Sequence, residues 1–250
     1  MDKEVDDLEG FDFVNPNYPK AWVVAGTVIL IVAVVLACVS VAVPQRLEVE
    51  PTVGASTSSG LKNSFKSGYL QICFAQGCES LPLTADKDET FNKITNLRVA
   101  AFSTHLGGVI IAGLALICSV VLLAIWLRAE AVSNAYREMR MALGAFLLIS
   151  GLLEQVAILL FHVEQFEDKW GKSSSLPYGF NNWDEAQKTT TRITFGWSYA
   201  LLWVSTILTF ISGWIMLGST CCWTREYVDT ETSEISFSLP RLDRLSKDSD

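Results

Sequence analysis

Two side chains that could carry a charge or a proton lie inside long apolar runs of this 250-residue chain. Glu154 lies in residues 141–163 and His105 in residues 99–127. A carboxylate in such a run costs about 3 kcal/mol or more unless it is paired, neutral or beside water. If the runs are antiparallel helices, both residues lie at similar depths from the same end. We therefore predict a Glu154–His105 pair that clamps two helices together, with ion or proton sensing as the alternative.

Two pairs of cysteines carry the remaining chemistry. Cys73 and Cys78 lie close together in a polar segment, where an oxidising exterior favours a disulfide. Cys221 and Cys222 lie at the end of the last apolar run, where attached acyl chains can re-enter a bilayer. We predict a disulfide for the first pair and S-acylation for the second, for which a pair of inert thiols is the alternative.

The sequence contains no catalytic arrangement. Its two histidines, His105 and His162, both lie in apolar runs, and it has no Gly-rich phosphate loop, nucleophile elbow or cysteine-pair metal site. The net charge is −8, and no basic tract indicates nucleic-acid binding. We predict a protein that is not an enzyme and that has no cofactor, no metal and no nucleic-acid partner.

Four apolar runs are long enough to cross a membrane as helices. A helix rises about 1.5 Å per residue and must cross a hydrocarbon core of roughly 30 Å. These runs are apolar all round, whereas helices of soluble proteins keep a polar face. Buried core helices and, for the first run, a cleavable signal peptide are the alternatives, although acidic residues before the first run oppose a signal peptide. The predicted spans are residues 21–43, 99–127, 141–163 and 195–223.

The positive charges predict the orientation. Arg128, Arg137 and Arg140 crowd the short segment between the second and third spans, and such clusters favour the cytoplasm. Both tails then lie in the cytoplasm, and the composition of these acidic tails predicts disorder. This orientation gives cytoplasmic segments at residues 1–20, 128–140 and 224–250 and outer loops at residues 44–98 and 164–194.

The first outer loop carries patterns of β-strands. Residues 46–50 alternate polar and apolar, as a half-exposed strand does, and residues 69–74 are rich in strand-forming residues. Residues 75–77 would make a tight connection to Cys78. We predict a small extracellular sheet formed mainly by this loop. The second outer loop adds aromatic residues that could pack on the sheet or meet a partner, with packing favoured: Trp170, Tyr178, Phe180 and Trp183.

This layout resembles the claudin superfamily, which includes peripheral myelin proteins and the gamma and auxiliary subunits of channels and receptors. The family motif, Gly-Leu-Trp followed by two cysteines, is similar to the stretch from Gly68 to Cys73 with Cys78. Tyr69 and Leu70 stand where Leu and Trp are usual. Further resemblances lie in Pro44-Gln45-Arg46, where Arg46 replaces a family Trp, in Arg98 before the second span, and in Cys221-Cys222.

The resemblance implies an all-α transmembrane four-helix bundle with a small extracellular β-sheet. It further implies a plasma-membrane protein that mediates cell–cell contact, junction assembly or a paracellular barrier through its extracellular loops. Its partners would be membrane lipids and itself or a related four-span protein, in cis or in trans. The alternative is an auxiliary subunit that modulates an ion channel or receptor. A transporter or channel in its own right is disfavoured, because one carboxylate and two histidines make a sparse solute path.

Overall fold

The computed structural model describes residues 18–50, 64–81, 89–128, 134–170 and 185–237. Within these ranges the side chains of 18–20, 89–91, 126–128, 134–135, 170, 186–187 and 221–237 are left out of the description. The elements in chain order are α1 (Tyr18–Ala42), β1 (Leu47–Glu50), β2 (Phe65–Ser67), β3 (Gln71–Phe74), β4 (Gly77–Ser80), α2 (Glu89–Arg128), α3 (Asn134–Trp170), α4 (Glu185–Thr190), β5 (Arg192–Phe195) and α5 (Trp197–Phe237).

Four of these helices are long and apolar enough to cross a membrane, which confirms the predicted four-helix bundle with a small sheet. The membrane-capable stretches are Ala21–Ala42, Asn92–Ile125, Tyr136–Lys169 and Trp197–Thr220. The bundle closes because α1 packs against α2 and α5, and α3 packs against the same two helices. Large apolar side chains such as Ile110, Leu114 and Trp214 remain exposed on its outside, as lipid-facing residues do.

Two helices extend beyond the predicted spans on the side of the sheet. Helix α2 begins at Glu89 rather than near residue 99, and α3 continues past residue 163 to Trp170. These extensions contain neither Gly nor Pro, so nothing in their sequence ends the helix. They also pair with each other, since Lys93 Nζ lies 2.7 Å from Glu167 Oε1. Helix α5 likewise continues past residue 223 to Phe237, and the first proline beyond it is Pro240.

The sheet has five antiparallel strands in the order β4-β3-β2-β1-β5. In β1 the side chains of Leu47 and Val49 are buried, while Glu48 on the other face pairs with Lys66 of β2 at 3.1 Å. The predicted alternation in residues 46–50 is therefore present in β1. Strand β5, however, comes from the second loop, so both loops build one sheet.

A disulfide joins β3 to the edge strand β4. Cys73 and Cys78 face each other in the antiparallel register and are bonded, which confirms the predicted pair. The chain reverses between these strands, and Gly77 has φ of 150°, a backbone conformation that side-chain-bearing residues rarely adopt. The tight connection expected at residues 75–77 is present.

Candidate functional site at the junction of the sheet and the helices

The segment that leaves α1 is held between the sheet and the start of α5. The Arg46 amide donates to the Ser67 carbonyl at 2.9 Å, and the Gly196 amide donates to the Arg46 carbonyl at 2.8 Å. Glycine is required at two positions that pack against this segment, Gly68 and Gly196. A Cβ on Gly68 would lie 2.7 Å from Pro44 Cα, and a Cβ on Gly196 would collide with the Gln45 carbonyl. The family-motif glycine, Gly68, thus permits a close backbone approach.

The side chain of Arg46 is buried at this junction, with 2% of its surface exposed. Its guanidinium carbon lies 3.6 Å from the centroid of the Tyr69 ring and 4.1 Å from that of Phe161. A guanidinium stacked on aromatic faces is attracted by the ring quadrupole, most strongly when water is excluded. Arg46 therefore ties the sheet side of the junction, through Tyr69, to helix α3, through Phe161.

Tyr69 continues this contact into the bundle. Its hydroxyl lies 3.0 Å from Nδ1 of His105, and Nε2 of His105 lies 3.3 Å from Ser40 Oγ. The Ser40 hydroxyl donates its one proton to the Ala37 carbonyl, so Ser40 Oγ accepts from Nε2–H. A neutral His105 then accepts the Tyr69 proton at Nδ1. The polar chain from Tyr69 to Ser40 is satisfied at each step.

An ion pair completes the junction on the side of α2 and α3. Arg98 Nε donates to Glu164 Oε1 at 2.7 Å, and both side chains are largely buried. Glu164 also attracts the Arg46 guanidinium. Burial lowers the pKa of Arg46, while the electrostatic effects of Tyr69 and then of Glu164 oppose that shift. Burial raises the pKa of Tyr69 to about 12, and the charge of Arg46 opposes this.

The expected pair of Glu154 and His105 is placed differently in the bundle. Both side chains are fully buried, but both ring nitrogens of His105 have other partners. Oε2 of Glu154 instead lies 2.9 Å from Thr206 Oγ1 and 3.4 Å from Ser205 Oγ, both on α5. Each residue thus makes its own interhelical contact: His105 links α2 to α1 and to Tyr69, and Glu154 links α3 to α5.

The other motif residues divide between the inside and the surface. Tyr69 is 3% exposed and takes the inward position, whereas Leu70 is 36% exposed. Arg98 lies beside Glu164 as described.

Cys221 and Cys222 lie in α5, but their side chains fall outside the described residues, as do Trp170, Tyr178, Phe180 and Trp183. Among the described residues, no group of three or more His, Cys, Asp or Glu could hold a metal ion.

The sequence profile of the family described as PMP-22/EMP/MP20/Claudin tight junction matches residues 31–218. The chain belongs to this claudin family. No curated protein sequence matches it significantly. The matched range covers most of the helical bundle and the whole sheet, so the junction described above lies within the family domain.

Sequence reasoning missed three contributors to the junction of this claudin-family protein. Phe161 and Glu164 looked like ordinary residues at the outer end of the third span, and Ser40 looked like a small residue near the end of the first. Arg46 was noted as a departure from the family motif and as a polar position of the half-exposed strand at residues 46–50, whereas its side chain is buried. One signal was available: Arg46 and Tyr69 both replace apolar motif residues with groups that interact through cation–π contact, so the two departures belong together.

Proposed function

We propose that this claudin-family chain is a plasma-membrane protein that mediates contact between cells, in a junction or a paracellular barrier. The observation that carries the proposal is that strands of both loops form a single sheet, with β5 from the second loop paired to β1 from the first. Both loops thus present one continuous surface. The junction of Arg46, Tyr69 and Phe161 fixes this surface to the helices, as a recognition surface requires.

The proposed orientation places the sheet outside and both termini in the cytoplasm. The disulfide supports it, because disulfides persist in oxidising compartments and are rare in the cytosol. The Arg128, Arg137 and Arg140 cluster at the opposite end supports the same orientation.

The proposed partners are membrane lipids and a second four-span protein, either this chain or a relative, in cis or in trans. In the edge strand β4 every residue is exposed, so this side of the sheet is open to a partner. Members of the family are membrane proteins without enzymatic activity, and we propose that this chain is likewise not an enzyme.

Mosaic culture of cells that lack junctions tests the contact function. A fluorescent fusion should concentrate where two expressing cells touch, but not where an expressing cell touches a non-expressing one. Exchange of residues 71–81 for the matching hairpin of a distant relative should abolish the enrichment, since it alters the surface and leaves Arg46 and Tyr69 in place. Exchange of residues 238–250 is the matched control.

A uniform surface distribution would contradict the proposal. If the uniform protein also changed the currents of a co-expressed channel, an auxiliary subunit that modulates an ion channel or receptor would replace it. The two functions thus predict different images and different recordings from the same cells.

A further inference from the structure

A cavity of about 290 Å³ lies between the inner face of the sheet and the ends of α2 and α3. This volume is close to the lower end of the range of small-molecule sites, about 300 Å³. The contact function proposed above makes no use of the cavity, which faces inward from the exposed surface of the sheet.

The cavity has one apolar wall and one polar wall. Strand side chains supply most of the apolar wall, including Leu47, Val49, Phe65 and Ile72. One face of α3 supplies the polar wall. Its lining residues Glu164, Gln165 and Asp168 follow the helical spacing of three and four residues, while Phe161, one turn earlier, adds to the apolar wall. A ligand that matches both walls is an amphiphile, with an apolar body and a polar head.

The charges of the lining favour an uncharged head. Arg98 and Lys169 supply two positive charges, and Glu164 and Asp168 supply two negative charges, so the lining is balanced. A carboxylate or an ammonium would add an unbalanced charge. Nη1 of Arg98 is buried and has no hydrogen-bond acceptor among the described residues. A hydroxyl or ester oxygen on the ligand would supply that acceptor without a net charge.

The source of such a ligand is the membrane. Ile193 and Phe195 both line the cavity and are also exposed, by 39% and 54%. Phe195 lies against α3 there, with its ring centroid 5.7 Å from that of His162, whose neighbour Val163 is an exposed apolar residue. Apolar side chains therefore lead from the cavity to the region where the helix leaves the bilayer.

We propose that this cavity binds an uncharged single-chain lipid, such as a monoacylglycerol, with its chain against the sheet and its head beside Arg98. The polar head would accept from Arg98, and the apolar lining would exclude water from the chain. The site is a binding site only, and no reaction is assigned to it.

Photolabelling of the full chain in nanodiscs tests the proposal. A monoacylglycerol probe with a diazirine in its chain should label saturably, at peptides that contain Phe161 or Ile193, and unlabelled monoacylglycerol should compete. Gln165→Trp should weaken labelling about tenfold, because its larger side chain fills the cavity. The control is Phe166→Trp, a neighbouring change outside the lining, which should label as the wild type does.

A fatty acid with the same acyl chain tests whether the site prefers an uncharged head group. It should compete at least about tenfold more weakly than monoacylglycerol, and equal or stronger competition would overturn the uncharged head. Non-saturable labelling, or equal labelling of Gln165→Trp and Phe166→Trp, would overturn the site itself. If Gln165→Trp elutes as an aggregate, Ile193→Trp on the sheet wall, whose side chain shares the inner face with Val49, takes its place with the same expectation.

Discussion

The guanidinium carbon of Arg46 lies 3.6 Å above the ring of Tyr69, and both residues stand where the claudin motif has apolar side chains. The buried guanidinium of Arg46 relies on the ring of Tyr69, and the hydroxyl of Tyr69 relies on His105. An arginine without an aromatic face would be a buried charge with little compensation, and a tyrosine without a polar partner would leave its hydroxyl unpaired. Together, with His105 accepting from the hydroxyl, the two form a stable contact.

Arg46→Ala should lower the free energy of unfolding in detergent by about 2–4 kcal/mol, because it removes two aromatic contacts and leaves a cavity. Arg46→Trp restores the family residue and removes a buried charge, so it should stay within about 1 kcal/mol of the wild type. Denaturant titration measures both values. Arg192→Ala, on the exposed face of β5, is the control and should have no measurable effect. Equal stability of Arg46→Ala and wild type would contradict the stacking role.

Tyr69 should make the protein sensitive to alkaline pH. The pKa of Tyr69 in the folded protein is about 12, so an unfolded chain loses this proton near pH 10 while the folded protein keeps it. Stability from this group is therefore complete below pH 10 and is lost as pH rises from about 10 to 12, by at most about 3 kcal/mol.

Tyr69→Phe cannot lose this proton and should show a shallower decline of melting temperature above pH 10. At pH 7 the same change should cost about 1–2 kcal/mol, since Nδ1 of His105 loses its donor. Tyr199→Phe also removes a hydroxyl bonded to a histidine, at 2.7 Å from His162, and serves as the control. Parallel alkaline curves for wild type and Tyr69→Phe would refute this prediction.

Two glycines should differ in how well they tolerate alanine. Gly68→Ala places a methyl group 2.7 Å from Pro44 Cα, and backbone cannot yield as a flexible side chain does, so we expect a loss of about 1–3 kcal/mol. Gly107→Ala meets nothing within 4 Å and should leave stability unchanged within about 1 kcal/mol. Thermal unfolding of the two variants, side by side, gives the comparison.

Much of the fold was accessible from the sequence because its signals are local. The four membrane-capable helices follow from apolar runs, strand β1 from alternation, and the disulfide from two close cysteines. Strand β5 was not accessible in this way. Residues 192–195 pair with β1 about 145 residues earlier in the chain, and four residues after a short helix carry too little periodicity to reveal a partner.

The buried polar side chains of the bundle show the same limit. Depth along two spans suggested that Glu154 and His105 would meet, since depth is what a sequence supplies. The sequence does not give the rotation of each helix about its own axis. In the structure, that rotation turns His105 towards Tyr69 and Ser40 and turns Glu154 towards α5. Partner choice inside a bundle depends on that rotation.

Cys221 and Cys222 should be S-acylated in cells, because they directly follow the membrane-capable stretch of α5 at the proposed cytoplasmic end. An acyl-exchange assay should detect labelled wild-type protein and lose the signal in the double Cys→Ser variant at these two positions. Cys38→Ser, within the first span, keeps both cysteines and should retain the signal. Identical signals from wild type and the double variant would show that the thiols are free.

Glu154 should tolerate Gln better than Leu. Gln keeps an oxygen that can accept from Thr206 and Ser205, and it keeps the unbranched shape at Cγ. Shape matters here because Gly108 packs so closely that a Cβ on it would lie 3.0 Å from Glu154 Cγ. A leucine branches at that atom and would press on α2.

We therefore expect Glu154→Gln to stay within about 1 kcal/mol of wild type and Glu154→Leu to lose about 1–3 kcal/mol, from the lost acceptor and the crowding together. Thr206→Val separates the two causes, since it removes the hydroxyl and leaves the Gly108 contact intact. A loss in Thr206→Val close to that of Glu154→Leu would assign the effect to the hydrogen bond. Equal stability and expression of Glu154→Leu and wild type would show that Glu154 does not clamp α3 to α5.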